Sequence, residues 1–146
     1  MKPQLCLGTA QLGLAYGITN AAGQVREEAA ESLLRQAEVA GIRWLDTAQA
    51  YGNAEVVLGR QLPAAHRFRL ISKLPAQSRR GFTAQDAEAW EQAFLASCQH
   101  LGVSYLDAFL LHSPSDLTKP GAQHLEAWLL SLRERGLVKR LGVSIY

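Results

Sequence analysis

Several large classes of protein are excluded by what this sequence has little of. It carries two cysteines, Cys6 in a strand-like stretch and Cys98 in a helix-like one. That suits buried thiols of a reducing compartment better than a disulfide framework. Charge of one sign is scarce: the formal net charge is +2, with Arg79-Arg80 the densest basic spot, so neither nucleic acid nor a membrane surface is an expected partner. No apolar run is long enough to span a bilayer. The first residues lead straight into a strand with no leader pattern, so the cytoplasm is the expected location. Metal-ligand spacing is missing too, because no paired cysteines or carboxylates accompany His100, His112 and His124. A complete dinucleotide fingerprint is also lacking: residues 8–13 have glycine at both ends and none between.

What remains is a globular composition, 48% hydrophobic and 19% charged over 146 residues, which predicts a single domain spanning 1–146. Short apolar runs at 5–8, 42–45, 68–73, 106–112 and 140–144 read as strands. Between them lie helical patterns. At 26–40, Ala29, Leu33, Ala37 and Ala40 share a face with Leu34 beside it, and Gly41 supplies the stop. A second helix is expected over 54–62. A third runs over 84–101, with Thr83 as cap and Asp86 the acid three positions on. A fourth covers 123–135, with Leu125, Trp128, Leu129 and Leu132 inward. Residues 11–25 read as one long loop.

Five strands alternating with four helices predict an α/β fold with a parallel sheet. Because no phosphate fingerprint follows the first strand, a barrel is favoured over an open doubly wound sheet. A complete barrel of this type takes about 250 residues, so the expectation is an incomplete (β/α) TIM-type barrel of five strands.

In such a barrel every strand ends at one mouth. Asp46 follows the second strand and Tyr51 stands in its loop; Lys73 ends the third strand and His112 the fourth. These chemical types complement one another for proton delivery to a carbonyl oxygen. A phenol with a pKa of about 10 is a poor acid at neutral pH, and an ammonium about 4 Å away favours the phenolate by at most roughly 4 kcal/mol at an effective dielectric of about 20. On this reading Lys73 tunes Tyr51, Asp46 holds Lys73, and neutral His112 orients the substrate oxygen. No elbow motif surrounds Ser113, which disfavours acyl transfer.

The stretches Gly8-Thr9-Ala10-Gln11-Leu12-Gly13, Leu45-Asp46-Thr47-Ala48-Gln49-Ala50-Tyr51-Gly52-Asn53-Ala54-Glu55, Ile71-Ser72-Lys73, Leu110-Leu111-His112-Ser113-Pro114 and Leu141-Gly142-Val143-Ser144 resemble the successive signatures of the aldo/keto reductases. The resemblance runs the length of the chain. It implies an eight-stranded barrel reducing an aldehyde or ketone with NADPH, with Tyr51 as general acid, Lys73 and Asp46 as its tuning pair and His112 orienting the substrate. It further implies Thr9, Asp46 and Ser144 on the nicotinamide side. Where many members have Asn after the serine, this sequence has Ile145. The family's strands six to eight, with the loops that grip pyrophosphate and the adenosine 2′-phosphate, have no counterpart here.

Three expectations therefore compete. One is an NADPH-dependent reductase of a small or sugar-like carbonyl compound. Another is a truncated, non-catalytic partial barrel acting as an interaction or assembly module, its open face covered in a homodimer. The last is a barrel aldolase or isomerase using Lys73 as a Schiff-base amine, which leaves Asp46 and Tyr51 without a necessary role.

Overall fold

A computed structural model describes residues 4–145. Five strands, β1 (Cys6–Gly8), β2 (Trp44–Asp46), β3 (Arg69–Leu74), β4 (Ala108–Leu111) and β5 (Leu141–Val143), form one sheet in the order of the chain. Every neighbouring pair is parallel. The connections are α1 (Ala10–Gly13) and α2 (Glu27–Val39) after β1, α3 (Ala54–Gln61) after β2, α4 (Asp86–Leu101) after β3, and a 3₁₀ turn (Pro114–Thr118) with α5 (Ala122–Glu134) after β4. This is a partial barrel of the TIM type: β1 and β5 each have one strand neighbour, and the sheet does not close among the described residues.

The period-2 alternation of the strands divides the sheet into two faces. Leu45, Leu70, Leu74, Phe109 and Leu111 are buried toward the helices, where they meet Leu34, Leu58, Phe94, Trp128 and Leu132 in one core. Phe109 stands edge-on to both Phe94 and Trp128. The opposite face, which a closed barrel would enclose, carries Trp44, Asp46, Ile71, Lys73 and Leu110. At its N-terminal end the guanidinium groups of Arg69 and Arg140 lie 5.3 and 5.4 Å from the centre of the Trp44 ring.

Four local expectations are corrected. Residues 10–13 form a helical turn, α1, where continuous loop was expected; Leu12 donates to Thr9 O and Leu14 to Ala10 O. The buried face of α2 is Ala30, Leu34 and Ala37, while Ala29, Leu33 and Ala40 are exposed. Both sets have helical spacing, and packing of α2 against α3 selects the one centred on Leu34. Cys98 is buried as expected, but Cys6 is exposed because it looks into the uncovered face. Thr83 does not act as an acceptor cap: its backbone N–H and hydroxyl both donate to Asp86 Oδ2, at 2.8 and 3.1 Å, and α4 begins at Asp86. The acid reaching back is half of a capping box. Gln77 and the 3₁₀ turn are tied in a similar way, with buried Asp116 accepting from Gln77 N and from Lys119.

No helix among the described residues is long and apolar enough to cross a membrane. One glycine fixes the approach of α3 to α4. A Cβ on Gly59 would overlap the carbonyl oxygen of His100. Gly→Ala inside a helix is ordinarily stabilising by about 1 kcal/mol. Here overpacking reverses the sign, and urea unfolding of Gly59→Ala is expected to show a loss of about 1–3 kcal/mol.

Candidate active site

The four residues predicted at the strand ends do converge. Lys73, 2% exposed, is their centre. Its ammonium donates to Asp46 Oδ1 in a short ion pair, to the carbonyl oxygen of Thr47 at 3.0 Å, and to Tyr51 Oη at 3.3 Å. An ammonium has three hydrogens and all three are used. A nitrogen held on three oxygens in this way gives no separate support to the Schiff-base reading. Because Lys73 donates to Oη, the hydroxyl hydrogen of Tyr51 points away from it.

The loop that carries Tyr51 is fixed from several directions. Thr47 N–H continues the β2–β3 ladder by donating to Ile71 O, Tyr51 N–H donates to Ala48 O, and Ala54 N–H donates to Tyr51 O. Gln49 reaches outward to Ala93 O at 2.9 Å and to Ser97 Oγ at 2.7 Å on α4. The tightest constraint is the contact of Gly13 with Gly52. A Cβ on Gly13 would overlap the Tyr51 carbonyl oxygen, one on Gly52 would overlap the Gly13 carbonyl oxygen, and Gly52 has φ +56°. The end of α1 and the loop after β2 thus touch backbone to backbone at the Tyr51 carbonyl.

His112 N–H donates to Leu74 O, which seats the imidazole next to Tyr51 with ring centres 5.7 Å apart and planes at 87°. Burial, and secondly the positive charge of Lys73, lower the pKa of His112 from its ordinary 6.5, against an opposing pull from Asp46. The ring is therefore neutral at neutral pH.

Thr9 and Ser144 flank this group. Thr9 is buried, and its N–H and hydroxyl both donate to the Asp46 carbonyl oxygen at 2.9 Å. The hydroxyl is thus committed to holding β2. Ser144 follows β5, half-buried, with its N–H on Leu111 O. Gly8 lies opposite Asp46 in the register, and a Cβ there would meet nothing within 4 Å. Sequence reasoning missed the Thr47 carbonyl as a ligand of Lys73, the Gln49 anchor and the Gly13–Gly52 contact. A backbone acceptor leaves no mark in a sequence, whereas the two glycines stood in quoted motifs and were detectable as sites of close approach.

A parallel sheet with helical crossovers and a carboxylate, phenol, ammonium and imidazole at its C-terminal edge defines an α/β barrel protein with a polar mouth. The chain belongs to the aldo/keto reductase family, whose model matches residues 4–146. It is 33% identical over 127 residues to an aldo-keto reductase of Mycolicibacterium smegmatis, covering 83% of this chain and 41% of that one. A second, from Mycolicibacterium paratuberculosis, is 32% identical over 143 residues, covering 98% and 44%. Among solved structures, a Klebsiella pneumoniae aldo-keto reductase in complex with NADPH superposes with a TM-score of 0.72 at 28% identity, covering 99% of this chain and 46% of that one. The chain thus spans less than half the length of these relatives.

The histidine supplies a pH test. Its folded pKa lies below the unfolded one, so protons bind the unfolded chain more readily. Its contribution to stability is retained above about pH 6.5 and lost progressively as pH falls toward the folded value. NMR titration is expected to give His112 a midpoint below 6.5. His112→Asn should lose less stability than the parent on going from about pH 7 to about pH 5.

Proposed function

We propose that this chain provides the proton-delivery site of an NADPH-dependent reductase that converts an aldehyde or ketone, including sugar-like carbonyl compounds, to the alcohol. The single observation carrying the reading is the buried Lys73 ammonium donating at once to Asp46 and to Tyr51 Oη. Tyr51 is the proton donor. Lys73 stabilises the oxygen that loses the proton, Asp46 holds and balances Lys73, and neutral His112 donates a hydrogen bond to the substrate oxygen and orients it.

The residues present fit the nicotinamide end of the cofactor. Gly8 leaves open space against the backbone opposite Asp46, with Thr9 just after β1 and Ser144 just after β5. When bound, NADPH supplies the hydride; this chain's part is to hold the carbonyl oxygen at Tyr51 and His112. The Klebsiella pneumoniae neighbour, described with NADPH, supports this cofactor.

The plain test mixes the chain with NADPH and a panel of aldehydes, following loss of the nicotinamide absorbance. Turnover that drops by about 10²–10⁴ in Tyr51→Phe is the expected outcome. Absence of turnover at high protein concentration, with cofactor fluorescence unchanged, rejects activity for the chain by itself.

A second reading has its own observation. β1 and β5 are edges, and beside β5 the side chains of Leu117, Leu130 and Val143 are 36%, 44% and 37% exposed. Open strands and apolar surface of this kind favour a non-catalytic assembly module in which two partial barrels cover one another as a homodimer. Sedimentation distinguishes the two: a soluble monomer at high concentration rejects the dimer.

A further inference from the structure

Glu55 is the member of the 45–55 motif that the proton-delivery reading leaves idle. It lies in the first turn of α3, four positions after Tyr51, and is 4% exposed. Oε1 accepts from the hydroxyl of Ser72 at 2.6 Å, and Ser72 is wholly buried and immediately precedes Lys73 in β3. Oε2 faces Nδ1 of His100 at 3.6 Å, from the last turn of α4. Its field is felt nearby, since the Cys98 thiol is pushed up to about 11 by burial and secondly by Glu55. A buried carboxylate is costly unless its bonds compensate. An apolar side chain would fill the same place with less desolvation, so packing alone does not account for it.

The consequence of the bond is geometric. Tyr51 hangs just ahead of α3 and Lys73 projects from β3. On the open face these elements are joined through Lys73 itself. On the helix face they are joined by Glu55 and Ser72. Successive side chains of a strand point to opposite faces, so drawing Ser72 toward α3 fixes the rotation of β3 that presents Lys73 to the phenol. We propose that Glu55 is a positioning residue, which by holding Ser72 sets the Lys73 ammonium against Tyr51 Oη. The proposal rests on the reading of Tyr51 and Lys73 as the proton-delivery pair, yet the positioning is measurable without turnover.

The experiment labels the chain with 3-fluorotyrosine and follows fluorine NMR, the Tyr51 signal being assigned by its loss in Tyr51→Phe. In Glu55→Ala and in Ser72→Ala, the Tyr51 resonance is expected to move by more than its linewidth. Tyr105, whose ring lies 4.3 Å from Lys139 Nζ at the other end of the sheet, is expected to stay. Glu55→Gln keeps an oxygen that accepts from Ser72 and should restore the parent Tyr51 signal. Where turnover is measurable, Ser72→Ala lowers kcat by about tenfold with KM unchanged, the pattern of a misplaced catalytic group. If Glu55→Ala fails to fold, Ser72→Ala carries the comparison, since it removes one hydroxyl. An unmoved Tyr51 signal in folded Ser72→Ala overturns the proposal, and so does equal movement of Tyr51 and Tyr105, which marks general loosening. A moved signal in chains that reduce no carbonyl rejects the functional reading while leaving the positioning intact.

Discussion

The burial of one ammonium governs this structure. Lys73 is nearly inaccessible, and a charge so placed is tolerated only where its hydrogens are all received and an opposite charge is close. Asp46, the Thr47 carbonyl and Tyr51 meet that demand. All three come from one strand end and its loop, so the path of the chain from 46 to 51 is dictated by a residue that arrives 22 to 27 positions later. The polar mouth is thus a requirement of the fold before it is a tool of chemistry. Removing either acidic or phenolic partner leaves a buried cation underserved.

The surrounding sheet makes this tolerable by keeping polar chemistry on one side. Toward the helices, β2 to β4 present Leu45, Leu70, Leu74, Phe109 and Leu111, a face apolar enough to hold α3, α4 and α5 in one core. The exception is Ser72 with its carboxylate from α3, two polar groups that satisfy each other within the apolar layer. Backbone contact at Gly13 and Gly52 then limits how far the loop after β2 can swing. The phenol is placed by rigid parts rather than by a flexible arm, as a site acting through orientation requires.

Much of this was legible in the sequence, for identifiable reasons. The alternation of strands and helices gave the parallel order, since 4-to-7-residue apolar runs separated by helix-length patterns admit few other arrangements. Asp46, Lys73 and His112 were detectable because each stands where a strand pattern stops, and Tyr51 because it lies in the loop that follows one. Other features were opaque. In α2 two apolar stripes overlap, and only the neighbour on which the helix rests chooses between Leu33 and Leu34. The exposure of Cys6 depends on what the sheet lacks opposite it, which no local pattern records. Thr83 and Asp86 were recognised as a pair, and the acid's half of the capping box is present, but the threonine hydroxyl donates where a cap accepts, because sequence spacing fixes proximity and leaves the hydrogen undetermined. The role of Thr47 belongs to a carbonyl that every residue possesses.

The order of the sheet follows the order of synthesis. Each strand from β2 onward finds a partner in the strand made just before it, so its pairing can begin as it emerges. Pairing between sequence neighbours keeps loop closure short and contact order low for a parallel sheet. The layer is extendable one β/α unit at a time from a ribosome, and at every stage its growing edge is the newest strand.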